Sequence, residues 1–275
     1  PFGLRQTHYH VHRRGELGQL APQPSLDRLL WYRRRMLEYS GHCDFRWTSA
    51  SDVRVLIDPF QNDLPEFNWF HIRFPAVEAE IVVITHDHFD HNAWATLSPY
   101  ATVLRGPGRF AMGDVVAEGI RDVHSRYEPP RLKRNTIFLL EIDGVRYCHI
   151  GDNRAAMPDA VVAALGRVDV LMVTVDDSCH LLSFQEVDQL VDLLQPWVVI
   201  PMHYFQAGLT TVESGLEDIG DWLATQNSVK RLGRSRFDLA PSDLPAIREV
   251  WVMEPASTMG PAVGTDTAEA HSAAK

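Results

Sequence analysis

Beyond about residue 50 the chain alternates two apolar patterns. Short runs almost free of polar residues recur at Val53–Ile57, Ile81–Thr85, Val168–Val175 and Trp197–Met202. Such runs predict strands buried on both faces, in sheets covered by other layers. Asp58-Pro59 stops the first of them. Thr136–Ile142 and Val145–Ile150 flank Asp143-Gly144, the strongest short hairpin signal in the chain. The second pattern is helical. Ser183-Phe184-Gln185-Glu186 forms a capping box, and Val187, Leu190, Val191 and Leu194 follow at i, i+3, i+4 and i+7. One face of that helix is therefore expected to pack on a sheet. Strands and helices interspersed without a linker predict a single α/β domain of two sheets with helices outside.

The flanks read differently. Residues 1–40 look like an N-terminal extension, with a Pro-broken stretch at Ala21–Pro24 and a helix predicted over Leu26–Glu38, N-capped by Ser25. Arg33 to Arg35 are expected on its solvated face. The main domain is placed at 41–254, and the Ala-, Gly-, Thr- and Ser-rich stretch 255–275 is expected to be disordered.

Charge narrows the function. The 26 Lys and Arg against 36 Asp and Glu leave a net charge of −10, the wrong sign for gripping long nucleic acids. No apolar run approaches the roughly 18 residues of a membrane span, and Pro1–Gln6 has no apolar h-region, so a cytoplasmic protein is expected. Three cysteines, Cys43, Cys148 and Cys179, are odd in number and far apart, which suits a reducing compartment. The unusual count is 13 histidines.

Their placing carries the chemistry. Thr85-His86-Asp87-His88-Phe89-Asp90-His91 puts metal-competent side chains directly after a buried strand. Extended backbone would turn His86 and His88 to one side, since alternate residues share a face. Asp90 and His91 come as the chain turns and can point elsewhere. Two histidines are thus offered to one ion and a carboxylate–histidine pair to a second. Imidazole with carboxylate suits zinc, iron or manganese and gives no sign of a thiolate site.

The segment resembles the His-x-His-x-Asp-His signature of the metallo-β-lactamase superfamily, matching at His86, His88, Asp90 and His91. The resemblance implies an αββα sandwich of two mixed sheets and further ligands at Val123-His124-Ser125, Ile150-Gly151-Asp152 and Pro201-Met202-His203-Tyr204. The implied site has His86, His88 and His124 on one ion, Asp90, His91 and His203 on the other, and Asp152 shared. Ser40-Gly41-His42-Cys43, Leu56-Ile57-Asp58-Pro59-Phe60, His149–Asp152 and Val199–Tyr204 resemble the branch of ascorbate-6-phosphate lactonase-like hydrolases and the phospholipase D acting on N-acyl phosphatidylethanolamines. Where that family often has a Gly-Gly-His loop, this chain has Asp176-Asp177-Ser178-Cys179-His180. Those acids, expected at the rim, would repel a strongly anionic substrate.

The resemblance implies two divalent ions, zinc first, with manganese or iron as alternatives. A hydroxide between them would cleave an ester, lactone, amide or phosphodiester of a small molecule, with Asp90 handling its proton and His180 steadying an oxyanion. A di-iron oxygenase on the same ligands is the alternative reading, and a non-catalytic metal-stabilised scaffold the third. A homo-oligomer is a family habit that the residues do not decide. His42 and His149 are expected to pack or to orient a ligand. His8, His10 and His12 are expected on an exposed arm, and Cys179 as a plain loop thiol. Phe67, Trp69, Phe70 and Phe74 read equally as core or as an apolar wall over the site. Tyr204 is similarly divided.

Overall fold

Alternating side chains on two neighbouring strands define the first sheet. In β1 (Met36–Gly41) Leu37 and Tyr39 point inward, and in β2 (Asp44–Thr48) Phe45 and Trp47 meet them, paired Leu37↔Trp47 and Tyr39↔Phe45. Glu38 and Arg46, the residues between, face the other way and form an ion pair of 2.8 Å. The computed structural model describes residues 35–63, 66–96, 99–126, 134–177 and 181–256. The helix predicted over Leu26–Glu38 ends differently: Met36–Glu38 open β1, because their apolar–polar alternation has a pairing partner. The rest of that prediction, with His8, His10, His12, Arg33 and Arg34, lies outside the described residues. Arg35 pairs with Asp238 at 3.2 Å.

The sheet continues through β3 (Arg54–Ile57), β4 (Ile81–Ile84) and β5 (Thr102–Arg105). β2 pairs antiparallel with β3, while β3–β4 and β4–β5 are parallel. The second sheet begins with β6 (Gly108–Met112), β7 (Val115–Val123), β8 (Arg134–Ile142) and β9 (Val145–His149), all antiparallel. It goes on in parallel with β10 (Val170–Thr174) and β11 (Val198–Met202). β12 (Val229–Arg231) and β14 (Glu249–Val252) close that edge, and β13 (Arg236–Phe237) joins β1 in the first sheet.

Both sheets are therefore mixed, and each moves from antiparallel hairpins to parallel strands as the chain advances. Asp143 and Gly144 turn between β8 and β9 with φ of 53° and 83°, the left-handed pair that a two-residue hairpin loop needs. The core lies between the sheets, where Trp47 meets Tyr147 edge-on with ring centroids 5.5 Å apart.

Among the described residues the α-helices are α1 (Asp159–Leu165), α2 (Phe184–Leu194) and α3 (Gly220–Thr225). α2 carries the expected capping box at Ser183 and Glu186 and buries Val187, Leu190, Val191 and Leu194. Each of those side chains contributes roughly 1.5–3 kcal/mol by leaving water. Among the described residues no helix is long and apolar enough to cross a membrane.

Candidate metal centre

The ends of parallel strands deliver the site. His86 to His91 follow β4, Asp152 follows β9 and His203 follows β11. His124 follows β7, which runs the same way as β9 because both are antiparallel to β8. Side chains thus gather beyond the carboxyl ends of strands from both sheets, where α/β proteins commonly place their sites. β4 is buried along its whole length, which fixes where its last residue stops and the histidine turn starts. A bond from His91 N–H to the His88 carbonyl (3.1 Å) closes that turn.

Two side-chain groups meet at Asp152. His86, His88, His124 and Asp152 form one, with ligand atoms all within 4.8 Å of one another; Asp90, His91, Asp152 and His203 form the other. Asp152 Oδ2 lies 3.4 Å from His86 Nε2, 3.3 Å from His124 Nε2 and 3.8 Å from His203 Nε2. Its Oδ1 lies 3.3 Å from His91 Nε2. Asp90 Oδ2 is 3.4 Å from His91 Nε2 and 3.5 Å from His203 Nε2. The structure therefore brings these seven residues together in two groups that share Asp152, and a third group of His42, Cys43, His91 and His203 overlaps the second.

The backs of the rings show what their fronts can do. Asp58 Oδ2 takes the Thr85 hydroxyl proton (2.6 Å), so Thr85 Oγ1 can only accept from His86 Nδ1, 3.0 Å away. His124 Nδ1 faces the Ser125 carbonyl at 2.7 Å, which also only accepts. His91 Nδ1 donates to Asp58 at 2.8 Å, and His203 Nδ1 faces Asp176 Oδ2 at 3.4 Å. His86, His91 and His124 thus carry a proton on Nδ1 and turn Nε2 towards Asp90 or Asp152, His86 Nε2 also lying 3.1 Å from His88 Nδ1. Lone pairs facing carboxylate oxygens repel unless a cation lies between them. His91 Nε2 and Asp152 Oδ1 are buried and hydrogen-bonded to nothing, although 3.3 Å apart. This donor set fits two divalent ions, since metal-binding histidines usually donate their other N–H to an oxygen.

Electrostatics agree. Burial works against charge on His203, yet Asp152, Asp176 and Asp90 push its pKa up to about 10. Burial likewise opposes His91, but Asp152 and Asp90 hold it well above the usual imidazole value. Asp90 and Asp152 stay well below the usual carboxylate range despite burial, chiefly through His91. Burial lowers His86 and takes His88 down to about 3. Positive charge is demanded beside Asp90 and Asp152, as protons or as metal.

Gly151 makes room for this. Its φ is 55°, and a Cβ there would stand 2.6 Å from Thr85 Oγ1 and 2.7 Å from Asn135 Oδ1. His149 Nε2 donates to the Cys43 carbonyl (2.9 Å), and its Nδ1 accepts from Gly151 N–H (3.2 Å) and lies 3.9 Å from Asp58 Oδ2. It thereby ties the β1–β2 turn to the Asp152 loop.

Several expectations shift. Asp176 is not a rim acid: it is 1% exposed and backs His203, so it cannot repel a substrate. Asp177 is exposed and accepts from Phe184 N–H at the start of α2. His180 and Cys179 lie outside the described residues. The aromatic group divides, with Phe70 stacked on Phe60 in the core and Phe67 47% exposed. Trp69 stands between, 6.3 Å from the His203 ring and 5.2 Å from that of Phe89. Tyr204 is buried, and its hydroxyl accepts from Gln206 Nε2 at 3.3 Å. Sequence reasoning missed Asp58 and Asp176 as supports. The phrase around Asp58 was visible, but its contact with His91, 33 positions on, was not.

A family model described as a beta-lactamase superfamily domain matches residues 36–203. The chain is 25% identical over 197 residues to a UPF0173 metal-dependent hydrolase of Archaeoglobus fulgidus, covering 61% of this chain and 82% of that one. A Pyrococcus furiosus protein of the same description is 24% identical over 196 residues, covering 60% and 83%. Among solved structures, a candidate Zn-dependent hydrolase of the metallo-beta-lactamase superfamily from Thermotoga maritima superposes with a TM-score of 0.62 at 26% identity, over 80% of this chain and 98% of that one. CmlA, a diiron beta-hydroxylase from Streptomyces venezuelae, shares the fold at a TM-score of 0.55 and 15% identity, over 80% of this chain and 55% of that one.

Proposed function

The chain belongs to the metallo-β-lactamase superfamily, and from that premise we propose that it is a dinuclear metal-dependent hydrolase acting on a small molecule. The carrying observation is Asp152: one carboxylate is shared by two donor groups, and His86, His91 and His124 in them already hold their proton on the far ring nitrogen. When bound, two divalent ions, zinc foremost, would lower the pKa of water towards roughly 7 and polarise the bond to be cleaved. The chain's own residues supply the frame. His86, His88 and His124 would hold one ion, Asp90, His91 and His203 the other, and Asp152 both. Asp58, Thr85, Asp176 and the Ser125 carbonyl hold those rings in register. Asp90, itself a member of the second group, would orient the nucleophile, take its proton and return it to the leaving group.

The relatives described as metal-dependent hydrolases support this reaction class. The phrases at Ser40–Cys43, Leu56–Phe60 and His149–Asp152 support a place near the lactonase-like branch. The surface from Trp69 through Phe89 to Phe67 supports an ester or lactone with an apolar substituent. The test is metal content by mass spectrometry on untagged, chelator-free protein, with a visible spectrum and a panel of lactones, esters and phosphodiesters. About two zinc or manganese ions per chain, no colour and turnover that vanishes in D152A are expected. Two irons with an absorbing band and oxygen uptake would replace the hydrolase by an oxygenase.

A further inference from the structure

The β1–β2 turn points a residue outside the seven at the second donor group. His42 is fully buried and takes φ of 53°, a left-handed conformation that L side chains rarely adopt. Three contacts hold it there. Its N–H donates to Gln206 Oε1 (3.1 Å), its carbonyl accepts from His203 N–H (3.1 Å), and the Tyr39 hydroxyl lies 3.1 Å from the same carbonyl. Gly41 before it has φ of 108°, a backbone that L side chains rarely adopt, and a Cβ there would also press on Leu209 Cδ2. Backbone strain over-determined in this way marks functional positions more than packing ones.

The side chain is placed as firmly. The ring lies against His203 with centroids 4.3 Å apart and meets Phe70 edge-on at 5.1 Å. Its Nε2 is 3.1 Å from Asp90 Oδ2. That oxygen also faces His91 Nε2 (3.4 Å) and His203 Nε2 (3.5 Å), and a carboxylate oxygen accepts, so the ring nitrogen 3.1 Å away has to be a donor. His42 Nε2–H is that donor. The ring contacts of His42 reach His91 and His203, which belong to the second group, together with Phe60, Trp69 and Phe70.

We infer that His42 is a positioning residue for the second ion: its Nε2–H fixes the rotation of the Asp90 carboxylate while its ring braces His203. The inference rests on the dinuclear reading above. It assigns a role to the turn before β2 and predicts that the two ions can be uncoupled.

Full-length wild type, H42Q and H42M are stripped of metal and titrated with zinc against a chromophoric chelator, then with cobalt for its visible spectrum. Gln and Met are nearly the same size, and only Gln carries a donor near the Nε2 position. Two ions are expected in wild type. H42M should weaken one of them by ~10–100-fold and leave the other unchanged, while H42Q stays within about threefold of wild type. The cobalt band of the weakened site should shift in H42M alone. Equal behaviour of the two variants, whether both intact or both weakened, overturns the inference. Fewer than two ions in wild type overturns the dinuclear reading instead. If both variants fail to fold, 15N spectra of the wild-type histidines decide: an Nε2–H tautomer for His42 is required, and Nδ1–H refutes it.

Discussion

Asp58 Oδ2 lies 2.8 Å from His91 Nδ1, and both side chains are fully buried. The same carboxylate accepts from Thr85 N–H (2.8 Å) and the Thr85 hydroxyl (2.6 Å). Through these three bonds the turn after β3 controls the orientation of rings from both donor groups, His91 directly and His86 through Thr85. D58N keeps the shape but offers one fewer acceptor, so a buried donor is left unpaired at a cost of about 1–3 kcal/mol. Metal affinity should fall ~10–100-fold at both sites, measured by chelator competition. An unchanged affinity would remove Asp58 from the support of the site.

Metal removal should make stability fall with alkaline pH. In the metal-free protein His203 has its pKa raised to about 10, so its favourable pairing is complete below its unfolded value near 6.5 and is lost as pH rises through 10. Asp90 and Asp152 are lowered, so their contribution is lost only as pH falls below the usual carboxylate range. Metal-loaded protein has no proton to lose from those nitrogens. The difference in melting temperature between loaded and stripped protein should therefore widen from pH 6.5 to 10. A constant difference would count against the His203 contacts described here.

G151A should disable the centre without touching a ligand. Its Cβ would press on Thr85 Oγ1 and Asn135 Oδ1 and would need a left-handed backbone. The strain alone costs about 1–3 kcal/mol, and relief would move Asp152 away from both groups. Calorimetry should show destabilisation of that order, and titration the loss of both ions together. Two ions bound at wild-type affinity would mean that the loop has slack.

Phe67 and Phe89 are stacked in parallel, with centroids 5.2 Å apart, and Phe67 is 47% exposed. If the wall binds substrate, F67A should raise KM for an aryl or long-chain ester several-fold, equivalent to about 1 kcal/mol of lost apolar contact, with kcat unchanged. Acetate-sized esters should be unaffected. An equal change for short and long esters would make Phe67 a packing residue only.

The local signals were legible because their physics is local. The all-apolar Ile81–Ile84 strand, the Asp143-Gly144 turn and the Ser183–Glu186 capping box each stand where short-range sterics and hydrogen bonding put them. β1 was not legible as a strand, since Met36 and Leu37 also fit a helical face until β2 supplies a pairing partner. Asp176 read as a rim acid because polarity in sequence does not say which way a loop turns; the tertiary structure turns it inward onto His203.

By itself, the sequence determined that metal-competent side chains crowd together at His86, His88, Asp90 and His91, because ligand chemistry and spacing are local, and the family resemblance pointed to His124, Asp152 and His203. Only the tertiary structure decided how the rings are held. Those contacts join residues far apart in the chain, such as His149 and Cys43 (106 positions) or His42 and Asp90 (48 positions). A hydrogen bond has to be within about 3 Å, and no local pattern encodes that distance across two sheets.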